Sequence, residues 1–349
     1  PLESYSLSQL NLKPVGTGAW KFKSFQKDGD GSLRSYTLER NESYLGRKPF
    51  IDELVFKFYP DIDSAIQGLK NRTVDGVSFL PRSLRDRLVQ DTKLGYYVFN
   101  LPQYTSVFFN PLNNPDLKSK AVRQALAYSV DKNRIIQEGL HGEGKMIDAP
   151  ILEGYLGYYP KAKKYEYLPQ RAASLLETDG WKRGKDGMWA KKDKEGKKRA
   201  LHLTLVTVNQ EENARVADIL KETWKTAGIA VDIQLVDPSQ VASETIASRD
   251  YEAFLYGEII GADPDLYPFW HSSQVPSPGL NLSQFSNADA DKLLEGGRTV
   301  ADPKKRETAY HAFQKILAEE VPAIFLYNPT YNYVVSTKVK GVHTARQIV

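Results

Sequence analysis

A chain of 349 residues, 41% hydrophobic and 26% charged, can bury a sizeable core and form two domains, and its composition is neither disordered nor membranous. A net charge of +4 is small for that length and does not point to nucleic acid, which needs a concentrated basic face. The absence of cysteine removes disulfides, thiolate metal sites and cysteine nucleophiles together, and no run reaches the roughly 18 apolar residues of a membrane span.

The chain opens PLESYSLSQL, without a leader-peptide pattern. VGTGAW (15–20) lacks GxGxxG spacing and a following helix, so Gly16 and Gly18 are read as turn glycines. GAWKFKSFQ and SYTLERN alternate apolar and polar residues around the turn sequence KDGDGS, which predicts a hairpin. FIDELVFKFYP adds a strand through Leu54, Phe56 and Phe58; a short helix and another strand follow in SAIQGLKNRTVDGVSFL. LGYYVFNLPQYTSVFFN (94–110) is extended. KSKAVRQALAYSVDKNRIIQEGL then carries a helical apolar pattern broken near Asp131.

LPQRAASLLETDGW predicts a helix stopped by Gly180. KRGKDGMWAKKDKEGKKR (182–199) is the one basic concentration. A polyanion or lipid-headgroup contact is one reading, and a solvated hairpin, marked by Asp186-Gly187 and Glu195-Gly196, is preferred. LHLTLVTVN, ENARVADILKETWKTAGI and VDIQLVD form a β–α–β unit with parallel strands. Beyond it, ADADKLLEGGRTV and DPKKRETAYHAFQKILAEEVP are helices, the second opened by an Asp302 cap and Pro303, and AIFLYNPTYNYVVS is extended.

Between these lies YGEIIGADPDLYPFWHSSQ (256–274), where a β-prone run ends in acids and large aromatics. Glu258, Asp263 and Asp265 admit several readings: a carboxylate pair, a metal-binding Asp-x-Asp, a capped turn, or a pocket for an ammonium group. The five histidines are scattered, with no HExxH and no G-x-S-x-G, so no zinc site or serine triad is expected.

The whole pattern resembles the solute-binding proteins of peptide ABC importers, extracellular family 5. The resemblance is carried by PVGTGAWKFKSFQKDGDGSLRSYTLERNESYLGRKPFIDELVFKFYPD, by FFNPLNNPDLKSKAVRQALAYSVDKNRII, and by YGEIIGADPDLYPFWHSSQ with LNLSQFSNADADKLLE. It covers nearly the entire chain, without the long N-terminal segment that usually precedes the first motif. It implies an α/β, bilobal type II periplasmic-binding-protein-like fold, with mixed sheets, helices on both faces and a hinge between lobes. Lobe I is expected at 1–105 plus 325–349 and lobe II at 106–324.

The implied activity is non-catalytic: a receptor that closes around an oligopeptide or related nutrient and delivers it to a membrane permease. It would be an extracytoplasmic, peripheral and monomeric protein, periplasmic or lipid-anchored, with no cofactor, metal or nucleic acid. By position in the family pattern, Gly257 and Glu258 fall on the cleft strand, and Glu258 stands where relatives carry tryptophan. Asp263 aligns approximately with an amine-binding aspartate. Tyr267 and Trp270 are candidate cleft linings, and Tyr104, Phe108 and Asn110 are weaker candidates on the hinge strand. From a different class, a glycoside- or nucleotide-sugar-processing enzyme would use Asp263 and Asp265. A chaperone-like binder of extended segments is a third reading.

Overall fold

Gln103–Phe109 reads QYTSVFF, and every residue from Tyr104 on is buried, including the polar Thr105 and Ser106, as in a strand covered on both sides. The computed structural model describes residues 9–343 except 193 and 194. The opening residues read for a leader, the tail 344–349 of the expected first lobe, and Asp193 and Lys194 of the basic run lie outside the described residues.

The strands are β1 (Trp20–Lys27), β2 (Leu33–Arg40), β3 (Glu53–Lys57), β4 (Gly76–Ser78), β5 (Leu94–Asn100), β6 (Gln103–Phe109), β7 (Lys145–Met146), β8 (Lys182–Arg183), β9 (Trp189–Lys192), β10 (Lys198–Ala200), β11 (His202–Val208), β12 (Ala230–Val236), β13 (Ala253–Ile259), β14 (Ala323–Asn328) and β15 (Thr330–Ser336). The described residues form two compact units: those within 9–80, 84–97 and 333–342, and those within 81–83, 98–332 and 343. The sequence placed the crossings at 105/106 and 324/325. Hydrogen bonding of β6 to both β13 and β14 instead holds these strands together in the second unit.

The first unit contains the antiparallel sheet β1-β2-β3 and the sheet β4-β15-β5. Asp61 caps the helix Ile62–Lys70 by accepting from Ser64 N–H, and Ile66 and Leu69 pack with Val77, Leu80, Leu88 and Val334. The alternation through Leu54, Phe56 and Phe58 does form a strand, but Phe56 and Phe58 stay about half exposed, at 51% and 52%. On this sheet Tyr36 Oη donates to the carbonyl of Leu12, at the end of the short helix Gln9–Leu12.

The second unit is built on a six-stranded sheet in the order β12-β11-β13-β6-β14-β7. Strand β11 runs parallel to β12 and β13, whereas β6 is antiparallel to β13 and β14. Because side chains alternate, neighbouring residues of one strand feed two separate cores. Val107, Phe109, Leu205, Leu255 and Ile324 join Val122, Leu126, Val216, Leu220 and Trp224 from the helices Lys120–Tyr128 and Glu211–Thr226. Tyr104, Phe108, Val206, Phe254 and Phe325 join Trp270, Leu294, Tyr310, Phe313 and Leu317 on the opposite face. The expected helix break falls at Asp131, whose carboxylate accepts from Arg134 N–H, and Gly180 adopts φ +88° after the helix Pro169–Thr178.

Packing predicts a contrast between two phenylalanines. Phe313 is fully buried, so Phe313→Ala should destabilise the second unit by about 3–5 kcal/mol, whereas Phe56→Ala should change stability by less than about 1 kcal/mol. Denaturant midpoints of the two variants check this.

Candidate functional site

Strand alternation decides the fate of Glu258. It shares a face with Phe254 and Tyr256, whose rings stack 4.8 Å apart, and this face looks into the second core. Only 5% of Glu258 is exposed. Tyr104, its cross-strand neighbour, donates its hydroxyl to Glu258 Oε2, and Trp270 Nε1 donates to Tyr104 Oη at 3.3 Å. The other carboxylate oxygen, Oε1, has no partner among the described residues. Burial pushes the Glu258 carboxyl up to about 8, against the opposing pulls of the Tyr104 hydrogen bond and the Arg249 charge. The residue at the family's tryptophan position thus lies in the core, held by a tyrosine, and no part of this arrangement aims it at solvent.

Phe108 and Trp270 belong to the same cluster, with ring centroids 6.1 Å apart, and Trp270 is fully buried. Asn110 stands beyond the far end of β6, also buried, where its amide donates to Arg249 O at 3.0 Å and its Oδ1 accepts from Leu112 N–H. The structure therefore brings Tyr104, Phe108, Glu258 and Trp270 together and leaves Asn110 apart from them.

The two aspartates after the strand are each engaged by an arginine from a following helix. Arg306, on the helix Pro303–Glu320, donates Nη2 to Asp263 Oδ1 at 2.5 Å. Arg298, on the helix Ala288–Thr299, donates Nε to both oxygens of Asp265 at 3.0 Å and Nη2 to Oδ2 at 2.6 Å. Asp265 Oδ1 also accepts from Tyr267 N–H at 3.2 Å, which ties down the start of the short helix Tyr267–Trp270. The Tyr267 ring packs against His271 at 4.1 Å and carries the Arg298 guanidinium 4.1 Å from its centroid. Neither carboxylate is left to serve as one of a catalytic pair. Among the described residues no three His, Cys, Asp or Glu side chains are arranged to hold a metal.

Gly257 retains a different role. Strand β11 pairs with β13 only as far as Leu255, so Tyr256–Ile259 keep one edge on which no described strand lies. A Cβ at Gly257 would run into the Gln103 side chain, so the glycine admits Gln103 beside the strand. Just past this edge, Ile260 N–H donates to Pro102 O at 2.8 Å.

Pro102 in turn borders a pocket of about 160 Å³, which the sequence reading missed. It is lined by Leu101, Lys145, Asp148, Tyr155, Tyr159 and Lys164, among others. Asn328 forms another wall and donates its amide to Leu101 O and Gln103 O at 2.7 and 2.6 Å. Lys145 is paired with Glu153, and Asp148 with Lys132. Glycines with positive φ, Gly154 at +95° and Gly157 at +83°, turn the loop so that its tyrosines gather. The signal was present in KMIDAPILEGYLGYYPKAKK, whose tyrosines and lysines have no helical or strand period.

Comparison with known proteins places these features in context. Residues 2–277 match the family described as bacterial extracellular solute-binding proteins, family 5 middle. The chain is 29% identical to the oligopeptide-binding protein AppA of Bacillus subtilis over 98% of its own length and 62% of that protein's. It is 24% identical to a dipeptide-binding protein of Escherichia coli, covering 95% of this chain and 59% of the relative. Among solved structures, NikZ from Campylobacter jejuni in complex with Ni(L-His) superposes with a TM-score of 0.80 at 27% identity, over 97% of this chain and 66% of that one. B. subtilis AppA in complex with a nonapeptide gives 0.78 at 28%, over 98% and 67%. The chain thus spans about 60% of the length of the curated relatives it matches.

The buried carboxyl makes a pH prediction. Its proton is bound more tightly in the folded chain, near pH 8, than in the unfolded chain, near 4.5, so stability falls as pH rises through that window and levels off above it. Glu258→Gln should flatten this slope and be more stable than the parent at pH 8, by on the order of 2 kcal/mol. Thermal or urea unfolding across pH 5–9 tests it; an unchanged slope removes the assignment.

Proposed function

We propose a receptor function from one premise: the chain belongs to the bacterial extracellular solute-binding proteins of family 5. In this reading it is a non-catalytic solute receptor of an ABC importer, which takes up an oligopeptide or related nutrient and hands it to a membrane permease. It works outside the cytoplasm as a monomer, in a periplasm or tethered by lipid. The names of its relatives, oligopeptide- and dipeptide-binding proteins, support a peptide as ligand. No helix among the described residues is long and apolar enough to cross a membrane.

The observation that carries the ligand site is the free edge of β13 at Tyr256–Ile259; the tyrosine- and lysine-lined pocket lies on the other side of that strand, linked to its end where Ile260 N–H donates to Pro102 O. An extended peptide adds to such an edge through its backbone, and that bond pattern is indifferent to side chains. The pocket then selects one group of the ligand. Tyr155 and Tyr159 offer apolar faces with polar tips, and Lys164 offers a cation suited to a carboxylate. Of the residues named from sequence, Gly257 faces the ligand through its backbone. Tyr104, Phe108, Glu258 and Trp270 form the support beneath the strand, and Asp263 and Tyr267 brace its exit through Arg306 and Arg298.

Native mass spectrometry of protein purified without refolding should reveal a ladder of co-purifying peptides. Titration calorimetry with a recovered peptide should then show Lys164→Glu and Tyr155→Ala binding at least tenfold more weakly, with the thermal midpoint of Lys164→Glu unchanged; Tyr155 also packs against the second core. A single defined metabolite or metal chelate in place of the ladder rejects the peptide assignment, and unaltered affinity in both variants rejects the pocket.

A further inference from the structure

Nine basic and three acidic residues fall within 182–199, a surplus of six in a chain whose total is +4. The remainder of the protein is therefore slightly acidic, and the net positive surplus lies in one small element. That element is the three-stranded antiparallel sheet β10-β9-β8. It is mounted rigidly. Trp189 is buried, its Nε1 donates to Ala227 O at 2.8 Å, and its backbone N–H donates to Gly228 O at 2.8 Å. Gly228, at φ +88°, has no Cβ to strike the Gly187 carbonyl, which would lie 2.5 Å away.

Pairing register divides the basic residues between the two faces. One face carries Arg183, Trp189, Lys191 and Arg199, and two of its three cations are matched by carboxylates. Arg199 is paired with Asp116, Lys191 Nζ lies 3.3 Å from Asp179 Oδ2, and both cations sit over the buried Trp181 ring. The other face carries Lys182, Lys192 and Lys198, all exposed. None of these three, nor Lys185 in the adjoining turn, has a carboxylate partner among the described residues. Lys192 and Lys198 stand directly opposite each other across the strands, an arrangement that opposes folding unless a counter-charge is supplied from outside.

We infer that this lysine face docks the protein on the anionic headgroups of a lipid bilayer. The chemistry of the face selects this partner. Its charges are flexible lysines with no arginine fork, suited to a mobile, diffuse array of phosphates and not to one fixed bidentate contact. Among the described residues from 169 to 234 no large apolar side chain is exposed; the exposed ones nearest in sequence are Leu168 and Leu235. A protein partner normally requires an apolar centre depleted of lysine, whereas attraction to an anionic leaflet requires only clustered cations near the surface. Such docking would hold a solute receptor within a short diffusion distance of membrane machinery, without a specific partner on that face.

The test is co-sedimentation of the full chain with vesicles of phosphatidylcholine alone or with about 30% phosphatidylglycerol, at two salt concentrations, since screening weakens charge contacts beyond a Debye length of about 10 Å at 0.1 M. Wild type should partition to the anionic vesicles, not to neutral ones, and should be released by added salt. The triple variant K182Q/K192Q/K198Q should lose at least tenfold in partitioning, with a thermal midpoint no lower than wild type, because it also removes the Lys192–Lys198 repulsion. A matched control, K70Q/K225Q/K304Q, subtracts the same charge from other exposed positions and should change partitioning less than twofold. Equal losses in both triple variants, binding to neutral vesicles, or no retention of wild type on anionic vesicles overturns the inference; the last is the result expected if an acidic protein surface is the true partner.

Discussion

Strand β6 is the constraint on which the second unit depends. It is hydrogen-bonded to β13 on one side and β14 on the other, and every residue from Tyr104 to Asn110 is buried. A strand in that position has no solvent face, so its seven side chains must be divided between two cores. Val107 and Phe109 lock one layer of helices, and Tyr104 and Phe108 lock the other. The layers are thus coupled through a single backbone: a shift of register by one residue would exchange the cores and destroy both.

The same constraint explains the acids. A carboxylate directly opposite Tyr104 has no route to water, so Glu258 gains the tyrosine hydroxyl and a raised proton affinity. Once the chain leaves the sheet at Ile259 the environment changes, and Asp263 and Asp265 meet water and arginines. Three acids within eight residues therefore have different lives. Glu258 is governed by desolvation, and the two aspartates by charge pairing with helices that follow much later in the chain. Those pairs fix the loop at the end of the strand and leave the backbone edge at Gly257 as the feature on offer.

Charge is distributed with comparable economy. Elsewhere on the surface some cations sit beside carboxylates, as Arg134 does beside Glu138 and Glu222 and Lys163 beside Glu319. Pairs of this exposed kind contribute little stability individually, on the order of 0–1 kcal/mol, but they cancel the long-range field. The outward face of β8–β10 gathers three exposed lysines that have no carboxylate partner among the described residues.

Much was legible beforehand. Turn residues, caps and periodicity located the hairpin at 18–41, the break at Asp131, the stop at Gly180, the parallel β–α–β unit and the Asp302-Pro303 helix start, because each depends on contacts only a few residues apart. That 94–110 is extended was also visible, but not that β6 is buried on both sides. What local sequence could not supply was the company each residue keeps. That Glu258 faces a core and Gly257 an open edge follows from where β11 stops pairing, a matter of partners some fifty residues away. Asp263 is answered by Arg306, 43 residues on, and the tyrosine pocket at 145–164 is completed by Leu101 and Asn328. The sequence by itself determined the elements, the family and the reservoir of chemical groups. Tertiary structure alone decided which groups are desolvated, which are neutralised and which remain free, because burial and charge pairing depend on distances through space that no local pattern encodes.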